Sequence, residues 1–333
     1  MSKSFLNIKL IITTLLIACL SFSCKKKETD ETDADADSIN YAIESAVSDA
    51  GQMAYSVEAE ELTFSIKNET PRSNIKTTSA NHILAACDYA TARSACSDTF
   101  QTIVDWNGCS LTQTNSSGTT TATIKGTITE SYSGFGAATC KMTGDGSQVK
   151  RAISTTNPWV LTFSSGATLT RDMVPGTAFD GETFPTAAEG TTITRVESGT
   201  SNGLSCTPSA RCYNLVANGL HKTFKGPRGR TWFEHILNSD VSFTGTKSAG
   251  TRAMSGTVNV WHEVAEYKAA NTFTAVTWGS ASCCYPTSGS ISTVLTGSVT
   301  GTMSMAFSST CGEVTVTGTD ASTSTVNLTQ CSE

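Results

Sequence analysis

CCYPTSGSISTVLTGSVTGTMSMAFSSTCGEVTVTG, residues 283–318, decides the fold. Its apolar residues do not recur at helical spacing. They alternate with Thr and Ser, and successive side chains of a strand point to opposite faces. Thr on a wet face with Val, Ile or aromatics on a dry one is the pattern of a half-buried strand. Four strands follow in a meander: 290–296, 299–307, 313–317 and 325–328. Cys283 and Cys284 precede the first, Cys311 lies between the second and third, and Cys331 follows the fourth, so all four fall at one end of the sheet. Adjacent residues on an extended chain point apart. Cys283 and Cys284 therefore suit two separate partners, Cys311 and Cys331, better than each other. A metal site needs a Cys-x₂₋₄-Cys rhythm, usually with histidines, which a Cys-Cys pair lacks.

The same alternation runs back through the chain, with short turns that imply antiparallel pairing. It predicts an all-β region over 85–333, built as an antiparallel sandwich or as meander sheets. A faint repeat suggests a duplicated β-module, 97–200 and 201–333: residues 117–140 align without a gap on 288–311, with Ser-Gly, Gly and Thr-Cys in the same phase. Ahead of this region the pattern changes. Ile39, Ile43, Val47, Ala50, Ala54 and Val57 recur at three- and four-residue steps, which predicts one amphipathic N-terminal helix over 38–61. Residues 62–84 read as a linker.

The first residues carry Lys3 and Lys9, then an apolar run from Leu10 to Leu20, too short for a confident membrane span. LIAC ends in Cys19 and SFSC ends in Cys24, which is followed by KKKETDETDADAD. This resembles the signal of bacterial lipoproteins, cut before a cysteine that then receives lipid. The resemblance implies a signal peptide over 1–23, lipid (palmitate) on Cys24 with Cys19 as the alternative, and a charged tether over 24–37 with no apolar surface to bury.

Cleavage before Cys24 would remove Lys3 and Lys9 from the 23 basic residues, leaving 21 against 29 acidic ones and a net charge of −8. An acidic chain without a basic cluster argues against nucleic-acid binding. Of 12 cysteines, ten remain for the mature chain: Cys87, Cys96, Cys109, Cys140, Cys206, Cys212, Cys283, Cys284, Cys311 and Cys331. An even number in an exported chain reads as disulfides. The repeat matches Cys109–Cys140 to a link between the Cys283/Cys284 pair and Cys311. Cys206 and Cys212 are close enough to close a small loop, and Cys87–Cys96 is left by elimination.

Residues 283–318, with VNLTQC at the end, also resemble the closing segment of uncharacterised bacterial cell-envelope lipoproteins, cysteine-rich and all-β, with a Cys-Cys-x-Pro-x-Ser-Gly start and a Cys-Gly before a last hairpin. The resemblance covers 280–331 well and the rest thinly. It implies an all-β lipoprotein of the surface or periplasm and transfers no catalytic residue.

Few residues stand out as chemistry. GTSNG (199–203) fits G-x-S-x-G with Ser201 as nucleophile, but no helix pattern follows it, so it reads as a loop. A hairpin closed by KSAG (247–250) has partner numbers that sum to 497, which sets His235 opposite His262. These two are metal candidates, among apolar neighbours and with no carboxylate in phase. A bulge at Asn238–Ser239–Asp240 would shift that register. Alternation puts Trp232 and Trp261 on the Glu234/Glu263 face, the best candidate for a ligand surface. GPRGR (226–230) reads as a tight turn with Arg228 at its tip, a further candidate for ligand contact through an anion.

The expectation is a disulfide-stapled protein anchored by lipid to the bacterial outer membrane, facing the periplasm or the cell surface. Its role would be non-enzymatic: binding, adhesion or structural coating, with a protein or glycan partner and no cofactor. The alternative is an exported hydrolase acting on glycans or envelope polymers, with carboxylates whose pairing the sequence does not reveal.

Overall fold

The computed structural model describes residues 92–327, apart from 116–117, 135–139, 174–175, 185–189, 246–249, 280–282 and 284. The signal, tether, helix and linker expected over 1–84, and Cys19, Cys24, Cys87, Cys284 and Cys331, lie outside the described residues.

The described chain is all-β and antiparallel, as the alternation predicts. The first strands are β1 (Gln101–Asp105), β2 (Cys109–Asn115), β3 (Gly118–Lys125), β4 (Thr127–Ser133), β5 (Gln148–Ile153), β6 (Trp159–Phe163), β7 (Thr168–Met173) and β8 (Thr191–Val196). A short hairpin, β9 (Gly199–Ser201) and β10 (Leu204–Cys206), precedes the long strands β11 (Cys212–Lys225) and β12 (Thr231–Thr244). The meander ends with β13 (Arg252–His262), β14 (Tyr267–Trp278), β15 (Ser288–Gly297), β16 (Gly301–Phe307), β17 (Glu313–Thr317) and β18 (Thr323–Asn327). All but β9 and β10 join one 16-stranded sheet.

That sheet divides at β11. One edge of β11 pairs with β12 along its length. On the other edge Cys212–Ala217 pairs with β8, and Leu220–Lys225 pairs with β7. Two branches leave from there, β8-β5-β4-β1 and β7-β6-β3-β2, while β12 to β18 run on as a meander. Val104, Ile124, Val149, Ile193, Leu215, Val241, Val258, Phe273 and Ile291 belong to one buried cluster, so both branches and the meander share a core. Each such side chain contributes roughly 1.5–3 kcal/mol by leaving water.

The aligned stretches 117–140 and 288–311 differ in their pairing. β15 and β16 form a hairpin. β3 and β4 enter different branches, and the chain turns between them at Gly126, where φ is 127° and a Cβ would lie 2.5 Å from Pro158 O. The likeness is therefore one of strand pattern rather than of strand pairing.

One part of the core is ionic. Glu130 is fully buried and lies 2.8 Å from Arg151 Nε and 3.3 Å from Arg93 Nε. Thr102 and Tyr132 also donate hydroxyls to it, at 3.1 and 3.0 Å. Burial and the Glu130 charge push the Tyr132 phenol well above its usual range.

Two expected disulfides are present: Cys206–Cys212, and Cys283–Cys311, the link between the vicinal pair and the β16–β17 turn. Two expected pairings are corrected. Cys140 bonds Cys96, not Cys109. This bridge ties the segment around Arg93, which pairs with Val104 of β1, to the loop after β4, beside the Glu130 network. It also removes Cys96 from a pair with Cys87, and Cys109 is itself oxidised. The repeat misled here because β15 and β16 form a hairpin while β3 and β4 lie in different branches, so the cysteines that flank the two pairs are not brought to equivalent places.

Candidate functional site

The predicted register of the β12–β13 hairpin holds: His235 pairs with His262, and the numbers run unbroken from there to Thr244 and Ala253. Asn238–Ser239–Asp240 do not bulge. The irregularity lies on the facing strand, where Asn218 and Gly219 of β11 oppose Asn238, whose Oδ1 accepts Gly219 N–H at 2.7 Å. The two imidazoles meet edge to face with centroids 4.1 Å apart, and His262 stacks on Tyr267. Phe233 stacks on His235. Among the described residues no group of three or more His, Cys, Asp or Glu is placed to hold a metal ion. Burial holds His262 down to about 3. His235 also lies well below the ordinary range, first through burial and then through His262, Lys222 and His221.

The expected ligand surface is rearranged. Lys225 pairs with Thr231 and Phe224 with Phe233, which leaves Trp232 as the extra residue of a bulge. The bulge turns Trp232 towards Phe224, at a centroid distance of 5.2 Å, and away from the Glu234 face. Trp232 stays 49% exposed. Trp261 does lie on the Glu263 face but is 1% exposed, covered by residues 176–184. Phe184 meets its ring edge-on at 5.0 Å, and its indole N–H donates to Asp180 Oδ2 at 2.9 Å. The two tryptophans therefore form no common platform. Arg228 is exposed at the tip of the turn, where Gly229 N–H donates to Gly226 O. Ser201 precedes the turn Asn202–Gly203 of the β9–β10 hairpin, where both φ angles are positive. No helix follows it, and its hydroxyl meets Ser242 Oγ at 2.6 Å.

What the fold assembles instead is an acidic strip around His221. In the first half of β11, Leu215 and Ala217 point into the core. The Asn218–Gly219 bulge flips the phase, so Lys222 pairs with His235 while His221 and Thr223 turn to the other face. β7 brings Asp172 opposite His221, and β12 brings Glu234 opposite Thr223. His221 Nδ1 meets Asp172 Oδ1 at 2.6 Å and Nε2 meets Glu234 Oε1 at 3.0 Å. Thr223 Oγ1 lies 3.2 Å from the same Nε2. Burial opposes charge on the ring, but the hydrogen bonds and charges of Asp172 and Glu234 outweigh it and hold the imidazolium above its ordinary range.

Residues 176–184 extend the strip. Phe179 N–H donates to Glu263 Oε2 at 3.1 Å. Burial pushes the Glu263 carboxyl up, with the charges of Glu234 and Asp180 adding to it, against the pull of the Phe179 N–H. Lys268 Nζ sits 4.2 Å from the centre of the Trp261 ring. The strip thus sets four acidic side chains, Asp172, Glu234, Glu263 and Asp180, beside two basic ones, His221 and Lys268. Side-chain exposure rises along the triad, from 11% at His221 to 27% at Asp172 and 39% at Glu234, so both carboxylates reach solvent.

The sequence singled out Glu234 and Glu263 only as a face, and His221 and Asp172 not at all. The turn at 226–230 does fold Glu234 back towards Thr223, which was a usable signal. Asp172 arrives by a strand pairing 49 residues away from His221. No family model matches this sequence, and no curated protein or solved structure matches it at a significant level.

Proposed function

We propose that this chain is a non-enzymatic binding protein of the bacterial cell envelope, anchored to the outer membrane by lipid on Cys24, and that it engages a cationic ligand, such as a basic segment of a protein partner, on the acidic strip. The observation that carries the reading is the Asp172–His221–Glu234 array. One ring holds two carboxylates in place, and each keeps an oxygen free of protein hydrogen bonds among the described residues. Fixed carboxylates beside solvent favour a cation without the entropic cost of ordering them on binding. Disulfides at both ends of the sheet suit an exported protein exposed to an oxidising compartment.

The alternative, an exported hydrolase, has one observation in its favour: the order Thr223 hydroxyl, His221 imidazole, Asp172 carboxylate follows the nucleophile–base–acid logic of covalent catalysis. Against it, Thr223 is 8% exposed, and both ring nitrogens of His221 already meet carboxylates, so the Nε2 that would serve the Thr223 hydroxyl is shared with Glu234.

The full chain, purified in mild detergent, is to be probed against arrays of basic peptides and of glycans. Binding to basic peptides that weakens with salt, and falls at least tenfold in the Asp172→Asn, Glu234→Gln double variant, supports the reading. Hydrolysis of any probe that stops in Thr223→Val would replace it with the enzyme. For the anchor, labelled palmitate should enter the wild type and not Cys24→Ser. Unchanged labelling of that variant moves the lipid to Cys19.

A further inference from the structure

We propose that the tip of the β11–β12 hairpin is a membrane-docking surface: Lys225, Arg228 and Arg230 meet the headgroups of an anionic lipid bilayer, and Trp232 enters the headgroup layer among them. The chain carries a net charge of −6, yet it has no acid between Glu197 and Glu234. Three cations of that stretch, Lys225, Arg228 and Arg230, come out together where β11 turns into β12, and all three are exposed. None of them forms an ion pair or a side-chain hydrogen bond among the described residues, whereas Arg93, Arg151 and Arg195 each meet a carboxylate.

Trp232 gives the tip an apolar contact. It is 49% exposed, while the other four tryptophans, Trp106, Trp159, Trp261 and Trp278, are at most 8% exposed. Its exposure is built in. The bulge that makes Trp232 an extra residue lays the indole over Gly226, where a Cβ would fall 2.6 Å from Cε2 of the ring. Phe224 flanks the indole at 5.2 Å, and Phe163 and Phe233 reach the same Phe224 ring at 6.2 and 5.5 Å. All three phenylalanines are half-buried, so Trp232 stands on an aromatic base. The β6–β7 turn lies alongside: a Cβ on Gly166 would fall 3.8 Å from Pro227 O. At the same end of the sheet the β13–β14 turn exposes Val264, at 55%, and one acid, Glu266. Glu234, two residues beyond Trp232, turns to the other face and meets His221. An indole among cations is the pattern of a bilayer interface, where the ring sits at headgroup depth and Lys or Arg meets phosphate. A hairpin tip projects, so it meets a flat surface rather than enclosing a small anion. The contact adds to the lipid anchor on Cys24 and does not depend on it.

The test is co-sedimentation of the full chain with vesicles of phosphatidylcholine plus phosphatidylglycerol, set against vesicles of phosphatidylcholine alone. An acyl anchor inserts into both, so the ratio between them reports the tip. Each basic side chain near an anionic leaflet favours binding by about fivefold, so Arg228→Ser/Arg230→Ser should bind the anionic vesicles roughly 25-fold less well. Its thermal midpoint and its binding to neutral vesicles and to basic peptides should stay as in wild type. Anionic vesicles should also shift the tryptophan emission of the wild type to the blue and leave that of Trp232→Phe in place. Equal binding of the wild type to both vesicle types, undiminished binding of Arg228→Ser/Arg230→Ser, or a blue shift that is absent from the wild type or persists in Trp232→Phe overturns the proposal. So does tighter binding to a thymidine oligonucleotide than to vesicles, which assigns the tip to nucleic acid. Self-association without vesicles, lost both in Arg228→Ser/Arg230→Ser and in Asp172→Asn/Glu234→Gln, also overturns it and assigns the tip to the acidic strip of a second copy. Otherwise Asp172→Asn/Glu234→Gln should bind anionic vesicles at least as well as wild type, so failure at the strip and failure at the tip are read separately.

Discussion

His235 and His262 stand directly opposite one another on β12 and β13, ring centroids 4.1 Å apart, and each is 4% exposed. Lys222 and Tyr267 flank them in the same row, and no carboxylate belongs to it. Burial keeps both neutral, with His262 held down to about 3. Unfolded, each would titrate near its ordinary value of about 6.5. The unfolded chain therefore binds more protons, and the stability these residues allow is present above about pH 6.5 and lost on acidification towards about pH 3. The slope is about 1.4 kcal/mol per pH unit for each histidine. Urea midpoints measured from pH 7 to pH 4 should fall steeply, and less steeply in His262→Phe. Parallel curves for the two proteins would contradict this.

His221 behaves in the opposite sense. Its folded proton affinity is raised by Asp172 and Glu234, so the stabilisation is complete below about pH 6.5 and is lost as pH rises through the folded value. Thermal melts between pH 6 and pH 9 should show a midpoint that declines with pH in wild type. In His221→Gln that decline is flattened. A decline of equal size in the variant would place the titrating group elsewhere.

Glu130 offers a third test. The carboxylate is fully buried between Arg93 and Arg151. Removing one member of a buried ionic group leaves the others uncompensated, at about 3–5 kcal/mol. Glu130→Gln should lower the unfolding free energy from denaturant titration by that much without changing the Asp172–His221–Glu234 strip. A loss below about 1 kcal/mol would class the network with weak surface pairs.

The disulfides should rank by the loop they close. Cys96–Cys140 spans 44 residues, Cys283–Cys311 spans 28 and Cys206–Cys212 spans 6. Chain-entropy arguments give about 4 kcal/mol for the longest and about 2 kcal/mol for the shortest. Paired Cys→Ser variants, melted under oxidising conditions, should follow that order. Peptide mapping of the oxidised protein checks the Cys96–Cys140 connection directly, because a Cys109–Cys140 peptide would contradict it.

At Gly256 of β13 the backbone of β12 leaves no room for a side chain. The glycine's φ is 131°, and a Cβ would fall 2.2 Å from Asp240 O. Gly256→Ala should cost roughly 3 kcal/mol or more, the sum of a strained backbone and a clash that only backbone movement relieves. Gly229→Ala, also at positive φ but with nothing within 4 Å, should cost about 1 kcal/mol. Equal losses in a urea titration would mean that the hairpin adapts.

The sequence by itself determined the all-β class, the antiparallel meander from β15 to β18, the His235–His262 register, the Cys206–Cys212 link and a link from the Cys283/Cys284 pair to Cys311. All of these rest on local rules: side chains alternate every residue, and a short turn fixes the register of the strands it joins. Tertiary structure decided the rest. The bulge at Asn218–Gly219 sends His221 outward, and it is held by Asn238 from the facing strand. A second bulge takes Trp232 off the Glu234 face. Residues 176–184 bury Trp261, and Asp172 reaches His221 only because the sheet divides at β11. A bulge flips the phase of every residue beyond it, yet its position is set by hydrogen bonds and packing from distant strands. That is why the strands could be read along the chain while the site they build could not.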